Sequence, residues 1–447
     1  MSVMKNKDLA LFAKYTSLNV IGMIGMSVYI LADTFFIANG VGANGLTALN
    51  LALPIFNLVN GTGLMLAMGG ATKYNVCKSR GDSHGMDSAF VNTMYAAAFF
   101  SAVYMLCGAL FSVKIASALG ANSEVLQSTA IYLKVIMLFS PAFICNNIAI
   151  SFVRNDGAPA LSTAAMTVGS LSNIVMDYVF VYPLAMGIFG AVLATGFSPC
   201  ISMLILSSHK IRGKNGFHFR RMAPSFKVIG NVAALGVPSL ITELSVGIVI
   251  LVFNMIILRL AGNIGVAAYG VISNMSLVVV SVYTGVAQGM QPLSSRAHGE
   301  GNFKAARKFF KYACVTAVAG AAVIYPLLAC FANPITSVFN SENNATLQQI
   351  AVQGLRLYYI ATPFLGFNVV LTVFLTSVEN PRPAQALSIL RGIAVIVPVA
   401  FALSAAFGMA GVWCSFPASE FICAVFGIIV LALFFKKQSA KSKNANA

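Results

Sequence analysis

Charge is what this chain has least of. Asp, Glu, Lys and Arg together make up 9% of its 447 residues, against about 25% in a soluble domain. Polar residues gather in short connecting stretches, none longer than roughly 20 residues, so a water-facing domain of any size is excluded. There is no Gly-x-x-x-x-Gly-Lys-Ser/Thr loop. Gly81-Asp-Ser-His84-Gly is too short to cradle a phosphate, and four scattered histidines give no zinc spacing. Nucleotide-driven chemistry and a metal centre are therefore not expected, no catalytic constellation points to an enzyme, and no cofactor is called for. Eight cysteines are present without metal or redox spacing and read as small buried apolar residues.

What is abundant is apolar: 58% of residues are hydrophobic. A span needs about 20 such residues, and twelve candidates fit, at approximately 15–38, 48–72, 88–112, 124–152, 160–182, 187–209, 229–258, 264–292, 309–332, 347–378, 384–406 and 409–435. The uncharged run 392–419 is divided at Phe407-Gly408-Met409. The chain is read as an all-α membrane protein with the bilayer as its partner. A short basic N-terminus runs straight into a full-length span, so no cleaved signal is expected.

The net charge of +16 is distributed by topology. Twenty-four of the 28 basic residues fall at alternate span ends, counting Arg154 and Arg391 among the loop residues; Lys114, Lys134, Arg259 and Arg356 are left for the other side. The positive-inside rule makes both termini cytoplasmic, in a multi-pass protein of the cell membrane. Basic residues spread in this way do not form a nucleic-acid surface.

The halves resemble each other. Gly45-Leu-Thr-Ala-Leu aligns with Gly265-Val-Ala-Ala-Tyr at an offset of 220, as do Gly69 with Gly289 and Gly81 with Gly301; Lys134 and Pro141 align with Arg356 and Pro363 at 222. Six spans per repeat give both repeats one orientation, so two six-helix lobes are predicted, related by pseudo-two-fold symmetry along the membrane normal. The expected boundaries are 1–209 for the N-terminal lobe, 210–227 for a basic cytoplasmic linker, 228–435 for the C-terminal lobe and 436–447 for a basic tail. A cavity between the lobes, open to one side at a time, follows. Pro141 and Pro363 are the candidate hinges.

Four of the twelve acids stand inside predicted spans: Asp33, Asp177, Glu243 and Glu420. A charge at bilayer depth is costly and marks an ion or substrate path. Asp33 and Asp177 fall at similar depth in one lobe, and Asn173 is one helical turn from Asp177. Two carboxyls with an amide can share a proton or hold a small cation such as sodium on oxygen ligands. Glu243 and Glu420, with Asn254, are candidates for a second cation or substrate site in the other lobe; each glutamate is alternatively a structural, hydrogen-bonding carboxyl. Met23, Met26, Tyr29, Met65 and Met68 suit either an adaptable cavity or ordinary packing.

Ala32-Asp33-Thr-Phe-Phe-Ile, Gly42-Ala-Asn-Gly-Leu-Thr-Ala-Leu, Arg154-Asn-Asp-Gly-x-Pro159, Asn173-x-x-x-Asp177, Gly187-Ile-Phe-Gly-Ala-Val-Leu-Ala-Thr195 and Gly411-Val-Trp413 ahead of Pro417-x-x-Glu420 occur in this order along the chain. In that order on a twelve-span double repeat, the chain resembles the multidrug and toxic compound extrusion (MATE) family over nearly its whole length. The resemblance implies a monomeric secondary antiporter that expels small cationic, often aromatic compounds as protons or sodium ions enter. It also implies that Asp33, Asn173 and Asp177, with Thr195 beside them, build the ion site, and that Glu243 takes part in cation binding. Asn19-Val-Ile-Gly22 stands where many members carry a proline, and no mid-depth acid occupies span 10, whose only acid is Glu379. A flippase of lipid-linked precursors, from the wider superfamily, is the alternative; it would call for a basic cavity.

Overall fold

The computed structural model describes residues 2–340 and 344–445, and these residues are helical with no strand among them. The last two positions of the predicted tail, 446 and 447, lie outside the described residues. Spans 1 to 3 are Ser2–Gly40, Ala43–Ser79 and Ser83–Ala118. Span 4 is a bent pair, Leu126–Leu138 and Ser140–Asn155, meeting at 46°. Pro141 sits in the first turn of its second half, where a missing N–H costs no helical hydrogen bond. Spans 5 and 6 are Pro159–Val181 and Gly187–Ile211.

Phe226–Gly299 is one continuous helical run that turns at Gly262 (φ 62°, ψ −157°) into spans 7 (226–261) and 8 (263–299). A φ of that sign is comfortable only without a Cβ. Gly42, which starts span 2 at φ 87°, lies 220 residues earlier, so the repeat offset read from the sequence returns in the backbone. Span 9 is Phe303–Cys330, followed by the short helix Ala332–Phe339. Span 10 is broken at Tyr359–Ala361 into Ala345–Tyr358 and Thr362–Ser377, with Pro363 at the start of the second half, as Pro141 is in span 4. Span 11 begins at Pro381–Ile389 and widens into a π-turn at Leu390–Ala394. The helix Ile396–Ala445 completes it and turns at Gly408 (φ 57°) into span 12 (409–445), at the break the sequence marks.

Two cores hold the bundle. One joins Ile37, Leu66, Tyr74, Leu133, Ile144 and Phe152 of the first six spans; the other joins Phe253, Tyr283, Phe374, Leu375 and Trp413 of the last six. The helix ends next to the seam cross over: Val232 packs into the first core, Phe12 and Tyr15 into the second. Close approach of the lobes rests on glycine. A Cβ on Gly69 would lie 1.9 Å from the Val232 carbonyl oxygen, and one on Gly289 would lie 2.6 Å from Thr16 Cα. Gly69 and Gly289 are repeat equivalents, so the two seams, span 2 on span 7 and span 8 on span 1, are copies of each other. Residues 220 apart also touch directly. Asn75 Nδ2 donates to Ser295 Oγ at 2.7 Å, and a Cβ on Gly299 would collide with Ser79 Oγ. A residue can meet its own equivalent only near the symmetry axis, which therefore runs between spans 2 and 8.

Candidate functional site

Asp33 and Asp177 come together. Their carboxyls lie side by side, within hydrogen-bonding reach of each other, across spans 1 and 5, inside the first lobe. Two carboxyls this close can bond to each other once one of them takes up a proton. Asp33 keeps 7% of its surface accessible; Asp177 and Asn173 keep none. With its amide turned to satisfy both ends, Asn173 donates to Asp177 Oδ2 at 3.1 Å and accepts from the Thr195 backbone N–H at 3.2 Å. Thr195 donates its hydroxyl to Ala191 O at 3.1 Å and meets Tyr132. Asp33 Oδ1 and Asp177 Oδ1 are buried with no partner. The four residues proposed from the sequence thus form one cluster, whose unfilled capacity is two carboxyl oxygens.

The second proposed cluster does not form as one site. Glu243, half buried, faces the other lobe: Asn60 Nδ2 donates to its Oε2 at 3.4 Å, and Asn147 Nδ2 donates to Asn60 Oδ1 at 3.0 Å. Glu420 is buried within its own lobe, where Arg391 Nε donates to Oε1 at 2.6 Å and Asn368 Nδ2 to Oε2 at 2.7 Å. Asn254, half buried, has no described hydrogen bond to either. Similar depth does not make two acids neighbours when their helix faces point apart, and Glu420 fits the alternative of a structural, hydrogen-bonding carboxyl. Arg391, a loop cation on the sequence reading, lies in the π-turn of span 11 as the counter-ion of Glu420. Arg154, likewise a loop cation on that reading, is 1% exposed and lies in the seam between the lobes.

That seam is the part of the site the sequence reading missed. Arg154 Nη1 donates to Asn19 Oδ1 at 2.7 Å and to Gln288 Oε1 at 2.8 Å. Asn155 donates to Gln291, which donates to Thr72, and Asn75 reaches Pro292 O. Lys73 Nζ meets Glu379 Oε1 at 3.0 Å, with His298 and Arg80 on the other oxygen. These contacts lie at the ends of spans 2 and 8 that bear the basic loops. The described inter-lobe hydrogen bonds nearest the opposite face are Ser27 to Ser281 and Asn60 to Glu243, both near mid-span. The lobes are therefore closed on the basic face. The linker is fastened to the first lobe there: Asp156 holds Lys78, Tyr74, His209 and the Gly216 N–H, and Asp87 holds Arg220 and the His218 N–H. Burial works against the Asp156 carboxylate, but the bonds from Lys78, Tyr74 and His209 outweigh it and hold its pKa below the usual range.

Glu379 has φ 52°. Its equivalent at the offset of 222 is Gly157, with φ 100°. A glutamate kept where the other repeat has glycine stores strain for the contact it makes. The neighbouring His298 ring, then the hydrogen bond from Lys73, pull its pKa down to about 2 against the opposing effect of burial. The sign follows: the latch is complete above the ordinary carboxyl pKa of about 4.5 and is lost as pH falls toward about 2, so it stays closed at neutral pH. Glu379→Gln is expected to loosen the basic face by about 1 kcal/mol, roughly fivefold in the open fraction. Maleimide labelling of a variant retaining only Cys77, buried beside this latch, should rise accordingly; unchanged labelling would remove Glu379 from the gate.

The MatE family model matches residues 20–179 and 238–402. The chain belongs to the MatE family. Among its relatives is the multidrug export protein MepA of Staphylococcus saprophyticus, 25% identical over 419 residues, covering 93% of this chain and 91% of that protein. The fold matches a MATE solved in the straight conformation with a TM-score of 0.90 at 20% identity, covering 96% of both chains. It also matches the outward-facing conformation of a multidrug resistance MATE family transporter with a TM-score of 0.87 at 20% identity, again over 96% of each. In this MatE chain, span 1 runs unbroken through Asn19, in keeping with the absence of proline there. The cores, seam and acid pair described above are thus those of a multi-pass membrane transporter.

Proposed function

We propose that the protein is a secondary antiporter of the cell membrane that expels cationic, often aromatic compounds in exchange for an inward-moving cation. The multidrug export role of its MepA relative supports this reading. The basic face is assigned to the cytoplasm by its Lys and Arg excess. The present conformation, closed on that face, is then the one that releases substrate and loads the driving ion. The observation that carries the proposal is the adjacent, buried Asp33–Asp177 pair, with one orphan oxygen on each carboxyl. The Asn173 amide turns its N–H toward Asp177 and its oxygen toward Thr195. Two acids held this close can share a proton, so the driving cation proposed here is a proton. Glu243, the half-buried acid between the lobes, is proposed to receive the substrate's positive charge; an acid there argues against a pyrophosphate-bearing lipid.

The test is efflux of a fluorescent cation from proteoliposomes with the pH and sodium gradients imposed separately. A pH gradient alone should drive export. Export under a sodium gradient alone would reassign the ion, and export under neither would remove the antiport reading.

A further inference from the structure

Arg154 carries a charge that nothing around it balances. It is 1% exposed, and its described partners are the neutral oxygens of Asn19, Gln288 and Ser151, while its Nε has none. Among the described residues no carboxylate pairs with it. The nearest in sequence, Asp156, is taken up by Lys78, His209, Tyr74 and the linker. Tyr15 is the other titratable group facing it. A buried cation of this kind is costly to keep, and a structural contact between two amide side chains does not require one.

Its place explains why it is kept. Gln288 belongs to span 8 and Asn19 to span 1, so the guanidinium bridges the lobes where they meet. Gly285 and Gly289, on either side of Gln288, pack so tightly on Val20 and Thr16 that a Cβ on either would lie 2.6 Å from the facing Cα. The charge therefore sits in the tightly packed part of the closed seam, toward the basic-loop end of the lobes. We propose that Arg154 is the ion-selectivity barrier of the closed gate: its unbalanced charge repels the driving cation, which then cannot slip through to the cytoplasm without substrate exchange. A buried arginine excludes cations from a pore by the same electrostatics. The barrier depends on conformation. When the lobes part on the basic face, water screens the guanidinium, and a cationic substrate can pass it to enter the cavity.

The inference rests on the reading that a cation gradient stands across this seam, but its test does not require transport. Purified protein in liposomes, without substrate, is given an inside-negative potential, and entry of protons and of sodium is followed. The wild type should be tight. Arg154→Met should leak cations about tenfold or more faster, and Arg154→Lys should remain tight. Gln288→Glu separates charge from packing. It places a carboxylate against Arg154, which would tighten a merely structural contact but cancels the field, so cation leak should rise. Gln288→Met, which keeps the charge and loses one hydrogen bond, should stay tight, and a neutral solute such as glycerol should not leak through any of the four. A tight Arg154→Met, a tight Gln288→Glu, a leaking Gln288→Met, or glycerol leak through Arg154→Met would each overturn the proposal. Failure of the antiport reading would show differently, as absent gradient-driven efflux in a tight wild type.

Discussion

Asp33→Asn is expected to abolish gradient-driven efflux while the protein remains folded in the membrane. The replacement is nearly isosteric, and an amide at this position still hydrogen-bonds to the Asp177 carboxyl, so the contact between spans 1 and 5 survives. What is lost is the capacity to take up and release the driving ion. Coupling exists only if that ion binds the two lobe arrangements with different affinity, a difference worth about 1–3 kcal/mol, or about 5–150-fold, in allosteric systems generally. With the pair reduced to one carboxyl, that factor goes to one. Asp177→Asn should do the same. Asn173→Ala should weaken coupling without ending it, because it removes one donor to Asp177 Oδ2 and leaves both acids. The measurement is the initial rate of fluorescent-cation efflux with and without the gradient, alongside equilibrium binding of the same cation. Binding retained with efflux lost fits the proposal. An Asp33→Asn variant that exports at the wild-type, gradient-dependent rate would refute the acid pair as the coupling site.

Asp33, Asn173 and Asp177 could be found from the sequence because expense makes them conspicuous: a carboxylate in a lipid-spanning run requires an explanation, and the i, i+4 spacing of Asn173 and Asp177 fixes a shared face. The repeat was legible for a similar reason. Gly42 and Gly262 hold φ values that side chains avoid, and Gly69 and Gly289 let two backbones touch, so the residue type itself reports the geometry. Glu420 and Arg391 were not legible as a pair. Both lie in spans 11 and 12, but the direction of Arg391 depends on a π-turn, which has no signature in composition. Arg154 was misplaced because hydropathy locates a cation only to within a turn or two of a span end. That margin separates a loop residue from one sealed in the seam. Glu379 was recorded as an acid at the end of span 10. The signal for its role is Gly157, its equivalent at the offset of 222, which marks the position as one of positive φ.

The C-terminal lobe offers the second large effect, on stability. Arg391→Met should lower the apparent melting temperature of the purified protein sharply, by the equivalent of about 3–5 kcal/mol, because removing one partner of a buried ion pair strands the other. Glu420 Oε1 would face the space left by the guanidinium, while Asn368 continues to bind Oε2. The π-turn at Leu390–Ala394 adds to the cost. Its Val395 N–H reaches back to Leu390 O at 2.9 Å, and Gly392 beside Arg391 packs against Ser245 of span 7 so closely that a Cβ would lie 2.0 Å from the hydroxyl. A turn of this kind is locally unfavourable and tends to occur where a side chain must be re-aimed; without the ion pair, span 11 has reason to revert to regular helix and pull away from span 7. The double variant Arg391→Met/Glu420→Gln distinguishes stranded charge from lost packing. Glutamine keeps an acceptor for Asn368 and has no charge to strand, so most of the lost stability should return. If the double variant is no more stable than Arg391→Met alone, the guanidinium acts through packing and the pair is not an electrostatic unit. If Arg391→Met melts with the wild type, Glu420 has found another partner and the C-terminal lobe does not depend on this pair.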